Sequence, residues 1–383
     1  MSERVRDLIA VGFLTAITLA TLVWFDRPLV RGDGVAYLAW IDTLVLDRDL
    51  DFGNQLEKLA PVNSYQIAWD SEQEKLVNIF PFGIAVFQAP FYVMGDTFAD
   101  IGWWDVNPDY FRQMQGVSSA YSLWLMIGAN FLAVGTVVFG WLIARQFIGR
   151  YSALLLAWGI FVGSPLIYYA TISPVNSHNP GAFAATIFVY LLIWCEGTLR
   201  KNQNANPRMW QWIVLGLFAG LTVLTRWQLL IIVALGFALL AWRRQWRGLL
   251  IAGITAAIVM LPLPLVWNEM YGSPFVVPFD AASQGSFFGR PINTWLVLRE
   301  TIRHSPIILF SIAGLFFLWK RSRAWTLLAV GAIVLEALVN GSTLDWWGGE
   351  TYGMRRMSEL YPLFVLPAAA LFAYVPQRVK WQK

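Results

Sequence analysis

The chain of 383 residues is short of charge, of histidine and of cysteine: 14% is Asp, Glu, Lys or Arg, with two histidines and one cysteine. Each shortage excludes something. A soluble domain carries about a quarter charged residues, so this chain has too few to coat a globule of its size. A single thiol, Cys195, closes no internal disulfide and builds no thiolate metal site. His178 and His304 alone leave little for a zinc centre. What is abundant is apolar: 57% of the residues, 16% aromatic, 21 of them Trp, with a mean hydropathy of +0.53. Disordered, collagen-like and disulfide-scaffold classes are excluded on the same figures.

The apolar residues come in runs near the length of about twenty that a helix needs to cross the hydrocarbon core. Ten such runs are read, at 8–25, 117–144, 151–171, 180–197, 210–225, 227–241, 248–267, 304–319, 325–340 and 360–375. The first ends in Leu22-Val23-Trp24-Phe25 without a small-residue cleavage site, so it reads as a retained anchor rather than a signal peptide. With the N-terminus in the cytoplasm, every inner connection is basic. These connections carry Arg4 and Arg6; Arg145 and Arg150; Arg200, Lys201 and Arg208; Arg243, Arg244 and Arg247; Lys320, Arg321 and Arg323; and Arg378, Lys380 and Lys383. The pI near 9.2 therefore expresses topology and calls for no nucleic-acid partner.

The expected architecture is an all-α polytopic membrane protein, one integral membrane domain over 1–383, with about ten transmembrane helices. Both termini lie in the cytoplasm, and the plasma membrane is the expected location. Residues 79–95 are apolar but interrupted by Pro81 and Pro90. Counting them as a crossing would invert every later loop, so they are read as a helix in the interface plane. Polar residues then collect outside, in a long first loop at 26–116 with juxtamembrane helices and in loops at 172–179, 268–303 and 341–359. Long loops without a domain of their own are usually functional, which puts any chemistry at the outer surface.

Asp33 stands in Arg31-Gly32-Asp33-Gly34 ahead of a helical apolar pattern. Glycines allow a sharp turn and close approach to a ligand, and a helix N-terminus favours a carboxylate. An N-capping aspartate and an active-site carboxylate both fit. Asp47, Asp49 and Asp51 alternate as D-x-D-x-D. Alternating carboxylates can hold a hard cation, although the EF-hand pattern fails here, and a solvated acidic turn fits equally. Asn176, Ser177 and His178 crowd a very short outer loop. Arg226 lies between two closely spaced helices, where it either snorkels to headgroups or faces a partner. Glu336 sits inside the ninth run, placed to pair with an arginine or to line a cavity. The densest group runs from Asp345 to Arg356 and holds Trp346, Trp347, Glu350, Tyr352, Arg355 and Arg356. Arginines suit bidentate phosphate recognition, and Trp suits a sugar face or the membrane interface.

These stretches together resemble the GT-C membrane glycosyltransferase superfamily, near its protein-mannosyltransferase-like and aminoarabinose-transferase-like branches. Gly32-Asp33-Gly34 to Asp51-Phe52 is similar to its G-D-G…D-x-D-F pattern. Val77 to Gly83 followed by Ala89-Pro90-Phe91 is similar to its N-K-Y-P-x-G…A-P-F stretch. Pro174 to His178 resembles P-x-x-S-H, Arg226-Trp227-Gln228 resembles R-P-Q, and Trp346 to Arg356 resembles W-x-G-G…G-x-R-R. Ile79 stands where the family has lysine, and Trp227 where it has proline.

The resemblance implies a polyprenyl-phosphate-sugar donor, an acceptor that is a glycan, a lipid or a protein, and an inverting displacement with Asp33 as general base. It implies that Arg355 and Arg356 neutralise the leaving phosphate and that Asn176 and His178 orient the sugar or phosphate. Asn78, Arg226, Trp346, Glu350 and Tyr352 complete the expected substrate-binding set. Segment 79–95 is expected to help form a groove for the lipid tail. No cofactor is expected; Asp47, Asp49 and Asp51 leave a divalent cation open. The rivals are a transporter or lipid flippase, which would place ionisable groups near the midplane, and a non-catalytic assembly subunit.

Overall fold

The computed structural model describes residues 2–27, 30, 32–59, 67–70, 73–100, 119–200, 207–276, 278, 293–343, 345–349 and 352–378. It is helical almost throughout. Helix α1 (Glu3–Phe25) buries one stripe, Ala10, Leu14, Thr18 and Leu22, spaced four apart on one face. With that stripe it packs on α5 (Ser119–Ala144) and α6 (Arg150–Val162). Its other faces expose Leu8, Phe13 and Trp24, the pattern of a helix bathed in lipid.

Helix α7 (Leu166–Thr171) follows a break at Gly163-Ser164-Pro165, and α8 (His178–Glu196) is buried nearly all round. A helix apolar on every side belongs at the centre of a bundle, and α8 is flanked there by α5 and by α9 (Met209–Thr225). Then come α10 (Leu230–Trp242), α11 (Trp246–Met260) and α12 (Pro262–Tyr271). The chain closes with α13 (Thr294–His304), α14 (Leu309–Arg321), α15 (Arg323–Ser342) and α16 (Tyr361–Arg378).

Helix lies over each of the ten apolar runs, but ten crossings are more than the geometry shows. Among the described residues six helices are long and apolar enough to cross a membrane, and a seventh arises if α13 and α14, bent by 104°, form one broken span. Arg150–Val162, Met209–Thr225 and Trp227–Trp242 are apolar but shorter. The physical reasons are local. Gly163-Ser164-Pro165 cuts the run at 151–171, and extended backbone at Arg226 (φ −155°) ends α9. The chain is thus a predominantly helical integral membrane protein, by its composition and by these candidate spans.

The segment between α1 and α5 builds a second apolar cluster. Helix α2 (Asp33–Asp42) is buried from Gly34 to Asp42 and runs on as a π turn to Asp47. Helix α3 (Gly53–Leu59) and a two-stranded hairpin follow, β1 (Ala68–Asp70) pairing antiparallel with β2 (Lys75–Val77), Trp69 opposite Leu76. Helix α4 (Gly83–Asp100) covers most of the segment expected to lie in the interface, starting later and ending later than 79–95, with Pro90 inside it, and it packs along α5. Val35, Trp40, Phe52, Val77 and Phe82 form this cluster with Leu224 and Leu263 at the bundle ends.

Candidate active site

Asp33 opens α2. Gly32 turns the chain there with φ +57°, a left-handed conformation that favours glycine. Gly34 then lets α2 lie against the loop before α8, since a Cβ at that position would stand 2.7 Å from the Val175 carbonyl oxygen. From the opposite side, Asn78 Nδ2 donates to the Ala36 carbonyl at 2.8 Å while its Oδ1 accepts from the Phe80 amide at 3.1 Å. Trp40 Nε1 donates to the Phe80 carbonyl at 2.7 Å. At the far end, buried Asp42 accepts from Tyr92 Oη and, at 3.2 Å, from Gln55 Nε2. Burial, with the Asp42 charge beside it, holds the Tyr92 hydroxyl well above its ordinary range.

So fixed, Asp33 Oδ2 meets Arg355 Nη2 at 2.6 Å, the two side chains 14% and 8% exposed. Arg355 begins a 3₁₀ turn, Arg355–Leu360, that leads into α16. One turn on, Glu359 Oε1 lies 2.6 Å from His178 Nδ1 and 3.0 Å from Arg226 Nε, with Glu359 and His178 each 1% exposed. Arg226 Nη1 donates to Ser177 Oγ at 3.2 Å. Ser177 Oγ in turn bonds the Tyr37 hydroxyl at 2.7 Å, and Tyr37 is on α2, one turn from Asp33. Burial pushes the Tyr37 hydroxyl above its ordinary range. The four segments close a ring: α2, the Arg355–Leu360 turn, the extended kink at Arg226 and the loop before α8.

The expected residues divide. Asp33, His178, Arg226 and Arg355 converge in this ring. Asn176 borders it, buried, with its Oδ1 accepting from the His178 amide at 3.3 Å. Asn78 stands behind α2, both amide atoms engaged with backbone, as a clamp on the helix that carries Asp33. Arg356 turns away from Asp33: its Nη1 donates to Asp345 Oδ1 at 3.1 Å and to Thr343 Oγ1 at 3.1 Å, and its Nη2 reaches Asp345 Oδ2. Of the two arginines, Arg355 is the one that meets the Asp33 carboxylate. Tyr352 is half exposed and stacks on Tyr168, ring centroids 4.9 Å apart at 16°. Trp346 packs at the edge of the main core, edge-on to exposed Trp347. Glu350 lies outside the described residues. Glu336 is fully buried, its carboxylate oxygens accept no hydrogen bond among the described residues, and it lies in the fields of Glu359 and Arg226.

The aspartates of D-x-D-x-D are occupied locally. Asp47 Oδ2 accepts from Asn54 Nδ2 at 2.8 Å and from Gln55 Nε2; Asp49 Oδ1 accepts from Thr43 Oγ1 at 2.8 Å; Asp51 Oδ1 accepts from the Gly53 amide at 2.9 Å. They shape the turn that starts α3 rather than pointing at one centre. Among the described residues no group of three or more His, Cys, Asp or Glu converges as metal ligands would.

Glu359 and Tyr37 are the members of the ring that motif reading misses. Glu359 carried a usable signal, an acid one turn beyond an arginine pair and just ahead of an apolar run. Tyr37 carried none, since it reads as one more aromatic on a buried helix.

No family model matches the chain, and no curated protein matches it. Solved structures do. The archaeal oligosaccharyltransferase AglB from Archaeoglobus fulgidus, in complex with an inhibitory peptide and a dolichol-phosphate, is similar with a TM-score of 0.53 at 12% identity, over 100% of this chain and 53% of that one. The same organism's oligosaccharyltransferase tethered to an acceptor peptide with the NVT sequon matches at 0.53 and 12%, covering 98% and 50%. Its apo form matches at 0.52 and 12%, covering 98% and 51%. The chain spans about half the length of these chains. At this identity the likeness is one of fold alone.

Proposed function

We propose that this protein is a glycosyltransferase that moves a sugar from a polyprenyl-phosphate donor to an acceptor hydroxyl at the outer face of the membrane, inverting the anomeric centre. The observation that carries the proposal is the contact of Asp33 with Arg355, which joins in one place a base and a phosphate-binding cation. In the reaction the acceptor oxygen attacks the anomeric carbon and its proton passes to the Asp33 carboxylate. The bond from that carbon to the phosphate oxygen breaks, and the phosphate leaves with the electron pair. The donor's phosphodiester carries one charge and the departing monoester gains a second, so a guanidinium at Arg355 stabilises the transition state more than the bound donor. No general acid is needed for such a leaving group. With no donor bound, Arg355 neutralises Asp33; an arriving phosphate draws on the guanidinium and leaves the carboxylate freer to accept a proton.

Apolar crevices near this contact support the reading of a lipid-linked donor. Met354 and Ser358, either side of Arg355, line the inner end of an apolar crevice with Ile160, Tyr361 and Phe364. Through Thr301, Ile308 and Phe364 it meets a second crevice lined by Leu298, Ile312 and Leu315. Ile312 is 46% exposed, so the path leads toward the lipid-facing surface beside the bend between α13 and α14. The lining is apolar, the chemistry that an isoprenoid chain would meet, and one oligosaccharyltransferase of similar fold is in complex with a dolichol-phosphate.

The test is transfer in lipid nanodiscs, with a panel of labelled polyprenyl-phosphate sugars and a membrane acceptor extract, beside Asp33→Asn. Transfer by the wild type and not by the folded variant supports the reading. Equal transfer by both removes Asp33 as the base. No transfer with any donor, while a lipid-linked sugar crosses the bilayer in proteoliposomes, replaces a transferase with a flippase.

A further inference from the structure

We infer that Glu359 is a positioning residue for the proposed transfer: it fastens the turn carrying Arg355 to Arg226 and His178, and through them to the helix carrying Asp33. The inference rests on Asp33 being the base. Its ground is the closed ring. Arg355 and Glu359 are four residues apart on one 3₁₀ turn, and Asp33 and Tyr37 are four apart on α2. Two contacts hold the turn to the rest of the ring. One is Arg355 with Asp33, which the donor phosphate must loosen. The other is Glu359 with Arg226 and His178, which is buried and lies outside the reacting atoms. While the first contact is exchanged for substrate, the second keeps the turn in register.

The geometry also fixes the imidazole. Glu359 Oε1, taken as carboxylate, has no proton to give, so the 2.6 Å contact requires a proton on His178 Nδ1. The lone pair then sits on Nε2; Arg226 Nη1 stands 3.1 Å from Nδ1 and 3.3 Å from Nε2, nearly equidistant from the two and so over the ring rather than in line with either lone pair. A carboxylate that sets the tautomer and orientation of a histidine is a recurrent device. Space for it is made by Gly181, where a Cβ would come 3.2 Å from Glu359 Cγ and 3.6 Å from Arg226 Cδ.

The experiment uses the full chain in nanodiscs, labelled with ¹⁵N-histidine in a His304→Ala background so that His178 alone reports. Ring ¹⁵N shifts should show the Nδ1–H tautomer in the parent and its loss in Glu359→Gln. In the transfer assay Glu359→Gln, which keeps shape and folding, should lower kcat about a hundredfold, the loss that a small misplacement of reacting groups brings, with KM for the donor little changed. Tyr37→Phe, which removes only the hydroxyl to Ser177, should lower kcat in the same sense. Asp33→Asn should abolish turnover and leave the tautomer as it was. A Glu359→Gln protein with the parent's tautomer and kcat overturns the role of Glu359 while the base stands. Absence of transfer in the parent, with its tautomer intact, overturns the base and the positioning role together.

Discussion

Asp33 Oδ2 and Arg355 Nη2 stand 2.6 Å apart, tying the first helix after α1 to the turn that opens the last helix. The contact brings together two segments far apart in sequence.

The first prediction separates the two partners. Asparagine at position 33 still offers an oxygen to Arg355 but cannot take a proton, so Asp33→Asn should fold and lose about 10²- to 10⁴-fold in kcat, the usual contribution of a general base. Arg355→Lys keeps the charge and loses the planar fork that pairs with carboxylate and phosphate, so it should raise KM for the donor as well as lower kcat. Steady-state kinetics against donor concentration checks both. An Arg355→Lys protein with the wild-type KM would remove Arg355 from donor binding.

The second prediction concerns close approach. A Cβ on Gly34 would press on the Val175 carbonyl, which is backbone and cannot rotate away. Gly34→Ala should therefore destabilise by about 1–3 kcal/mol, the range of overpacking, and move Asp33 off Arg355. Gly12, inside α1, has nothing within 4 Å of a built Cβ, so Gly12→Ala should be neutral or gain about 0.5–1 kcal/mol, the helix-interior difference between the two residues. Thermal unfolding in one detergent compares the pair; equal stabilities would refute the packing of α2 against the loop before α8.

The convergence of Asp33, His178, Arg226 and Arg355 was legible in the sequence because each stands in a polar interruption of an apolar chain, where a buried charge must find a partner. Helix over the ten runs was legible for the same reason, from length and apolarity. The breaks within those runs were not, because a run of apolar residues does not report where Gly163-Ser164-Pro165 interrupts it or where Arg226 adopts an extended backbone. The separate fates of Arg355 and Arg356 were also hidden. Adjacent residues on a 3₁₀ turn point about a third of a turn apart, and only the fold decides which meets Asp33 and which meets Asp345. The local hydrogen bonds of the alternating aspartates were hidden too, because short Asp side chains readily accept from nearby backbone and side-chain donors, which local spacing alone cannot distinguish from ligation.

The third prediction tests the orientation that the basic connections imply. Cys195 is buried, so a Cys195→Ala background is a mild change that gives a clean reporter. Exposed Arg299 on α13 and exposed Arg244 before α11 lie on either side of the span Trp246–Tyr271. In intact cells an impermeant maleimide should label Arg299→Cys, and should reach Arg244→Cys only after permeabilisation. The reverse pattern would invert the protein and place the Asp33–Arg355 contact on the cytoplasmic side.

The last prediction follows from Asp26, the residue that ends α1. Burial pushes its carboxyl up to about 6, against the opposing pull of the Asn130 amide, which donates to Oδ2 at 2.8 Å. The folded state therefore holds this proton to higher pH than the unfolded chain, whose Asp titrates near 3.9. Stability falls wherever the folded state binds more protons than the unfolded one, so the Asp26 contribution should decline from about pH 4 to about pH 6 and stay low above that. Asp26→Asn cannot ionise and still accepts from Asn130, so it should be the more stable protein at pH 7–8, with the gap closing as pH falls from about 6 to about 4. Melting temperatures of both proteins across that range measure the difference directly. A gap that is constant with pH would mean that Asp26 ionises alike in both states, and a gap that widens in acid would mean that its charge, rather than its proton, is what the junction of α1 and α5 favours.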